Sequence, residues 1–204
     1  MNKRELLANY RKKRKEIEKR LKDFRKIRRK DYLHELFFCL LTPQSNAKKC
    51  WQAVVQIKEN NIENKEISAC LADKTRFHNN KAKYIKQARK DWKKIEQEIN
   101  KKLQEGEIVE LRNWLAENVL GLGLKEASHF LRNIGKSQNS VAILDRHILK
   151  NIKSLKVIKN IPNLNKKNYL KIEKKFIVFS KQLNIPIDHL DLLFWSQETG
   201  EIFK

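Results

Sequence analysis

The chain has 204 residues, enough for one sizeable domain or two small lobes, and its 40% apolar content supports a core and excludes wholesale disorder. Lys and Arg number 46 against 24 Asp and Glu, a net charge of +22, which favours a polyanionic partner: nucleic acid first, a membrane surface or a ribosome after it. The three cysteines, Cys39, Cys50 and Cys70, are odd in number and form no CxxC, so neither a disulfide framework nor a zinc site is expected, and a reducing cytoplasm fits best. The basic N-terminus lacks the apolar segment and cleavage site of a signal peptide, and no apolar run is long enough to span a bilayer.

With five glycines, three prolines, little strand-like alternation and long stretches of helical spacing, the chain is predicted to be all-α. Residues 1–30 carry 15 Lys and Arg against 4 Asp and Glu, half of the net charge, around a narrow stripe of Tyr10, Ile17, Leu21, Phe24 and Ile27. That pattern reads as a solvated helix docked by its stripe, and equally as a helix that contacts phosphates. Residues 31–41 (DYLHELFFCLL) are a dense apolar core helix, ended at Thr42-Pro43 because proline restricts the residue before it. A loop through Gln44, Ser45 and Asn46 opens a further helix. Residues 47–58 and 65–72 have helical spacing, and 79–99 reads as one long exposed helix with Ala82, Ile85, Ala88, Trp92 and Ile95 on a single face. Helices over 107–119, 124–134, 146–153, 166–183 and 188–197 complete the chain.

Gly121 and Gly123 flank one residue between the helices at 107–119 and 124–134. Glycine at both positions permits a tight turn and a close backbone approach, and the helix that follows offers free N–H groups, so the hairpin is fit to hold a phosphate. An ordinary αα-turn with a glycine C-cap has the same spacing. Lys125 falls in the first turn of the second helix, where the positive end of the macrodipole disfavours a cation and favours the neutral amine of a nucleophile. A solvated surface lysine fits there too. Asp145 follows the apolar run Val141–Leu144 and opens the helix at 146, as an N-cap or as a catalytic carboxylate held by its cap. His129 and His147 lie beside apolar residues and read as packed or hydrogen-bonded histidines. Neither an HxxxH pattern nor a carboxylate cluster points to a metal. Arg132 and Arg146 are each available to a phosphate or to Asp145. The C-terminal Phe203-Lys204 is too apolar for a frayed tail and is expected to be tucked in.

Together these residues resemble the helix-hairpin-helix DNA glycosylase superfamily, and within it the archaeal-type (type 2) 8-oxoguanine DNA glycosylase/AP lyase. The resemblance is carried by KEASHFLRNIG from Lys125 to Gly135 and AILDRHIL from Ala142 to Leu149. It continues more weakly through FCLLTPQSNA from Phe38, RFHNNKAKYI from Arg76 and HLDLLFWSQETGEIFK from His189, and covers roughly residues 30–204. It implies two helical lobes with the active site in the cleft between them: residues 31–134, ending in the helix-hairpin-helix, and residues 1–30 joined to 135–204. It implies Lys125 as nucleophile with Asp145 as its partner. Phe77 and Trp195 are implied to sandwich the extruded base, with Asp191 beside that pocket and Lys204 telling 8-oxoguanine from guanine. Gln44 and Asn46 are candidates to fill the gap left in the duplex.

The chain departs from the superfamily in four respects. The hairpin lacks its usual proline, and Ala142-Ile143-Leu144 lacks the proline expected before Asp145. The interval from Lys125 to Asp145 is slightly long, so the loop Gly135–Ser140 is a place for an insertion. No cysteine lies after residue 70, so the superfamily's iron–sulfur cluster is not expected. The expected partner is double-stranded DNA containing 8-oxoguanine, bound by a cytoplasmic, nucleoid-associated monomer. A glycosylase of the same fold for another lesion, or a non-catalytic nucleic-acid-binding protein, would share the hairpin and the charge.

Overall fold

The computed structural model describes residues 2–204, and among the described residues every regular element is helical. The α-helices are α1 Lys3–Arg25, α2 Tyr32–Leu41, α3 Ala47–Glu59, α4 Ile67–Leu71, α5 His78–Lys90, α6 Trp92–Glu105, α7 Ile108–Asn118, α8 Leu124–Asn133, α9 Arg146–Ser154, α10 Lys166–Gln182 and α11 Ile187–Thr199. They form two compact units, one of residues Ile27–Phe130 and one joining Met1–Lys26 to Leu131–Lys204. The boundary falls inside α8 rather than after residue 134. The last turn of α8 belongs with α1 and α11 because the Arg132 guanidinium lies over the Phe24 ring at 5.0 Å and pairs with Asp191 at 3.3 Å. None of the helices described is long and apolar enough to cross a membrane.

In the unit of residues 27–130, α2 is the central element. Its residues Leu36 to Leu41 are all buried, so it is covered on every side, as its unbroken apolar run requires. Against it lie α3, through Cys50, Ala53, Val54 and Ile57, and α5, through Ala82, Ile85 and Ala88. The single helix expected over 79–99 is two helices. Asp91 breaks it: its backbone leaves the helical region at φ −89°, ψ 3°, and its Oδ2 accepts a hydrogen bond from Gln87 Nε2 at 2.7 Å. An Asp side chain held by a local partner competes with helix propagation in this way. Ile95 and Ile99 of α6 are buried while Trp92 is half-exposed, so the stripe turns with the chain.

The other unit is built on α1, α9, α10 and α11. Leu6, Tyr10, Ile17, Leu21 and Phe24 form the buried face of α1. Ile27 lies beyond the end of that helix and is only half-buried. A capping box between Asn2 and Glu5 starts α1. The core is closed by Phe176 of α10 stacked on Phe194 of α11, centroids 6.1 Å apart. Between α8 and α9 the chain passes Gly135, whose positive φ of 66° and contact with the Arg25 backbone exclude a side chain. The following Ser137–Asn139 loop is pinned to α11: Ser137 Oγ donates to Asp188 and Asn139 Oδ1 accepts the Asp188 N–H. Burial pushes the Asp188 carboxyl up, against the pull of the Ser137 hydrogen bond and the Arg132 charge.

Candidate active site

The turn between α7 and α8 is a glycine-dependent hairpin, but its two glycines differ. Gly121 has φ +84°, and a Cβ there would run into the Tyr84 ring of α5. Gly123 has an ordinary φ, and a Cβ there would meet only the Glu126 carboxylate, at 3.1 Å. Leu122 between them is buried, and Leu120 before them is exposed. The flanks are tied by Arg112 of α7, fully buried, which donates to Ser128 Oγ of α8 at 3.4 Å, while that hydroxyl donates to Leu124 O. The amides of the first turn of α8 have no carbonyl ahead of them within the helix, so they and the macrodipole present a positive end. Helix starts of this kind are a general anion-binding feature of proteins.

Lys125 extends from that first turn with 23% of its side chain exposed. Its Nζ lies 3.3 Å from Glu126 Oε1, a counter-charge that sequence reading did not assign. Phe77 is the N-cap of α5 in the same unit. It is left-handed at φ 58°, which for an aromatic residue costs about 1–3 kcal/mol and persists only where neighbours enforce it. Its ring is 55% exposed and lies 5.4 Å under the Arg76 guanidinium. An exposed aromatic held in a strained pose is a ready stacking platform. Asn46 caps α3 by accepting from Lys49 N at 3.1 Å, so its side chain is committed. Gln44, exposed and left-handed at φ 55°, is the freer of the two gap-filling candidates.

Asp145 caps α9. Its Oδ1 accepts the N–H of both His147 and Ile148 at 2.8 Å, and among the described residues Oδ2 takes no hydrogen bond. The run leading to it, Val141 to Leu144, is buried without being helix or strand, so its backbone polar groups need partners from side chains. Two residues of α10 supply them. Glu173 Oε1 accepts the Ala142 N–H at 2.8 Å, the Tyr169 hydroxyl donates to Ala142 O at 2.6 Å, and the same hydroxyl accepts the Leu144 N–H at 3.3 Å. Tyr169 and Glu173 therefore set the position of the aspartate from beneath. Sequence reading missed both, because no local signal links them to a segment some 30 residues earlier.

Trp195 of α11 is brought to the same end of this unit. Its ring meets His147 edge-on at 5.4 Å, and His147 Nδ1 lies 3.4 Å from Glu198. His147 is thus a link between the Asp145 cap and Trp195 rather than a core histidine. His129 is one: it is buried, with its ring edge-on to Phe38 at 5.6 Å. Asp191, one turn before Trp195, is buried and faces Arg132. Arg132 is 3% exposed and serves Asp191 and Phe24, so it is withdrawn from both roles left open for it, a phosphate and Asp145. Lys204 is 8% exposed, as a tucked tail requires. Arg20 of α1 holds that tail by donating Nε–H to Phe203 O and by lying over the rings of Phe24 and Phe203, at 4.9 and 5.9 Å. No group of three or more His, Cys, Asp or Glu among the described residues is arranged to hold a metal.

A family model described as 8-oxoguanine DNA glycosylase matches residues 17–185. The chain is 41% identical over 199 residues to the 8-oxoguanine DNA glycosylase/AP lyase of Fusobacterium nucleatum, covering 92% of this chain and 91% of that protein. It is 33% identical over 195 residues to the protein of the same name from Methanocaldococcus jannaschii, covering 92% and 91%. The crystal structure of the 8-oxoguanine DNA glycosylase of Thermotoga maritima matches with a TM-score of 0.86 at 29% identity, over 98% of this chain and 97% of that one. The M. jannaschii 8-oxoguanine glycosylase/lyase in complex with 15mer DNA containing 8-oxoguanine matches with a TM-score of 0.83 at 29% identity, over 98% and 99%.

Proposed function

Because the chain belongs to the 8-oxoguanine DNA glycosylase family, we propose that it is a bifunctional DNA repair enzyme that excises 8-oxoguanine and then cleaves the strand 3′ to the abasic site. The observation that carries this reading is the family match itself, whose residues 17–185 include both Lys125 and Asp145 at the starts of α8 and α9. A base inside a duplex is out of reach, so the damaged nucleotide is first flipped out at a cost of a few kcal/mol. Hairpin amides at Gly121 and Gly123 and the basic helices hold the backbone. Phe77 and Trp195 stack on the extruded base, each face contributing about 1–3 kcal/mol. 8-Oxoguanine differs from guanine in carrying a hydrogen on N7 and an oxygen on C8. Discrimination therefore needs an acceptor aimed at N7–H, a role we give to a main-chain oxygen of the buried Lys204, with Asp191 beside it.

In the chemical step the neutral Lys125 amine attacks C1′ while the C1′–N9 bond breaks and its electron pair leaves with the base. Asp145 Oδ2 faces the positive charge that develops on the sugar and takes a proton from the lysine nitrogen as it bonds. Opening of the sugar ring gives an imine between C1′ and Nζ. Loss of a C2′ proton then drives the C3′–O3′ electron pair onto the 3′ phosphate, which is β-elimination, and water releases the lysine. The enzyme acts as a monomer on nucleoid DNA in the cytoplasm. Borohydride trapping tests the reading directly. A duplex with one 8-oxoguanine is expected to give a covalent adduct with the wild type, none with Lys125→Gln, and none when the duplex is undamaged. Salt-dependent binding without an adduct would instead identify a binding protein or a glycosylase for another lesion.

A further inference from the structure

Lys81 is a buried cation, 4% exposed, that takes no part in the steps above. It lies one turn after Phe77 in α5, and its own N–H donates to the Phe77 carbonyl at 3.0 Å. Its Nζ lies 2.7 Å from Leu41 O, 2.7 Å from Pro43 O, 2.9 Å from Ser45 Oγ and 2.7 Å from Thr75 Oγ1. These four acceptors come from two separate segments: the end of α2 with the loop after it, and the loop that ends at Phe77. Leu41 O is one of the carbonyls that α2 leaves unpaired at its C-terminus, so the ammonium also meets the negative end of that helix. Around it the two segments are joined again, because Arg76 N donates to Ser45 Oγ at 3.0 Å and the Thr75 hydroxyl lies 2.8 Å from the same oxygen. Each segment carries one exposed left-handed residue, Gln44 and Phe77.

We propose that Lys81 is a positioning residue for base extrusion, its ammonium clamping the Thr42–Asn46 loop to Thr75 so that Phe77 is held in its strained, exposed pose before the base arrives. The inference rests on the reading of Phe77 as a stacking ring. A lysine suits the task because three N–H protons on a flexible stem converge on oxygens of two strands of chain, whereas a methionine of similar length would offer those oxygens no proton. Burial pulls the Lys81 ammonium down from its ordinary value to about 8, with the charges of Lys125 in α8 and Arg76 in the loop adding to the pull and the Cys50 sulfur of α3 opposing it. Once neutral, the amine has two protons for four oxygens and turns a lone pair toward one of them. The clamp is therefore complete below pH about 8 and weakens above it.

The test compares single-turnover excision from an 8-oxoguanine duplex with strand cleavage of a duplex carrying a preformed abasic site, which has no base to stack. Lys81→Met is expected to slow excision roughly 10- to 100-fold while abasic-site cleavage stays within about threefold. In the Phe77→Ala background Lys81→Met should add no more than about a threefold loss, since it acts through that ring. Equal losses in the two reactions, undiminished excision, or losses that multiply in the double variant would overturn the proposal. Should Lys81→Met fail to fold, the wild type and Phe77→Ala carry the test. The wild-type ratio of excision to abasic-site cleavage should fall as pH rises from 8 to 9.5 and the fall should vanish in Phe77→Ala, whereas a flat wild-type ratio overturns the proposal. Lack of any excision by the wild type would overturn the glycosylase reading, a result separate from a Lys81 variant that behaves like an active parent.

Discussion

The turn at Gly121–Lys125 and the segment at Ala142–Asp145 each bring one side chain of the proposed site to the start of a helix, yet they are built by different means. The first is made locally. Gly121 takes a positive φ, Leu122 drops into the core, and α8 begins two residues later. The second has no glycine and no regular structure. Its buried backbone is satisfied by Tyr169 and Glu173 of α10, and only then does Asp145 cap α9. A site placed by backbone conformation depends on one residue type at one position. A site placed by side-chain hydrogen bonds depends on distant partners and is sensitive to each of them.

Variants on the two sides measure that difference. The largest effect is expected for Asp145→Asn, which keeps the N-cap but removes the charge: excision should fall about 10²- to 10³-fold with the melting temperature unchanged. Asp145→Ala should lose the same activity and in addition about 1 kcal/mol of stability, read in denaturant melts. Equal melting of the two variants would mean that the cap contributes nothing. Next comes Gly121→Ala, where strain at φ +84° and the Tyr84 ring together should cost about 3 kcal/mol. A smaller effect, about 2 kcal/mol, is expected for Glu173→Ala, which leaves the buried Ala142 N–H without its acceptor. That variant should also lower excision and abasic-site cleavage alike, because both need Asp145 in place. A stability loss with full activity would show that Asp145 is positioned by its cap alone. Gly123→Ala should be the mildest, within about 1 kcal/mol, since its φ is ordinary and only the Glu126 side chain must yield. Its effect belongs in DNA affinity, measured by fluorescence anisotropy at fixed salt.

Much of this was legible along the chain, wherever the cause was local. The glycines of the hairpin, the aspartate before the helix at 146 and the apolar run of α2 declare themselves by residue type and spacing. Lys81 went unmarked along the chain, although it shares a helical face with Ile85 and Ala88, which are buried with it. Its acceptors lie up to 40 residues away, and no periodicity names them. The break of the 79–99 helix at Asp91 escaped notice because the stripe continues through it, and only the Gln87 contact shows that the side chain is held. Arg132 was free to serve a phosphate or a carboxylate on paper, and the three-dimensional neighbours Phe24 and Asp191 decided otherwise.

The sequence by itself determined the helical class, the basic surface and the two helix starts that bear Lys125 and Asp145, because propensity, capping and glycine chemistry act over a few residues. Tertiary structure alone decided how those starts are held. Buried polar groups must find partners, and the partners of Ala142, Lys81, Arg132 and Phe203 come from other helices or distant loops.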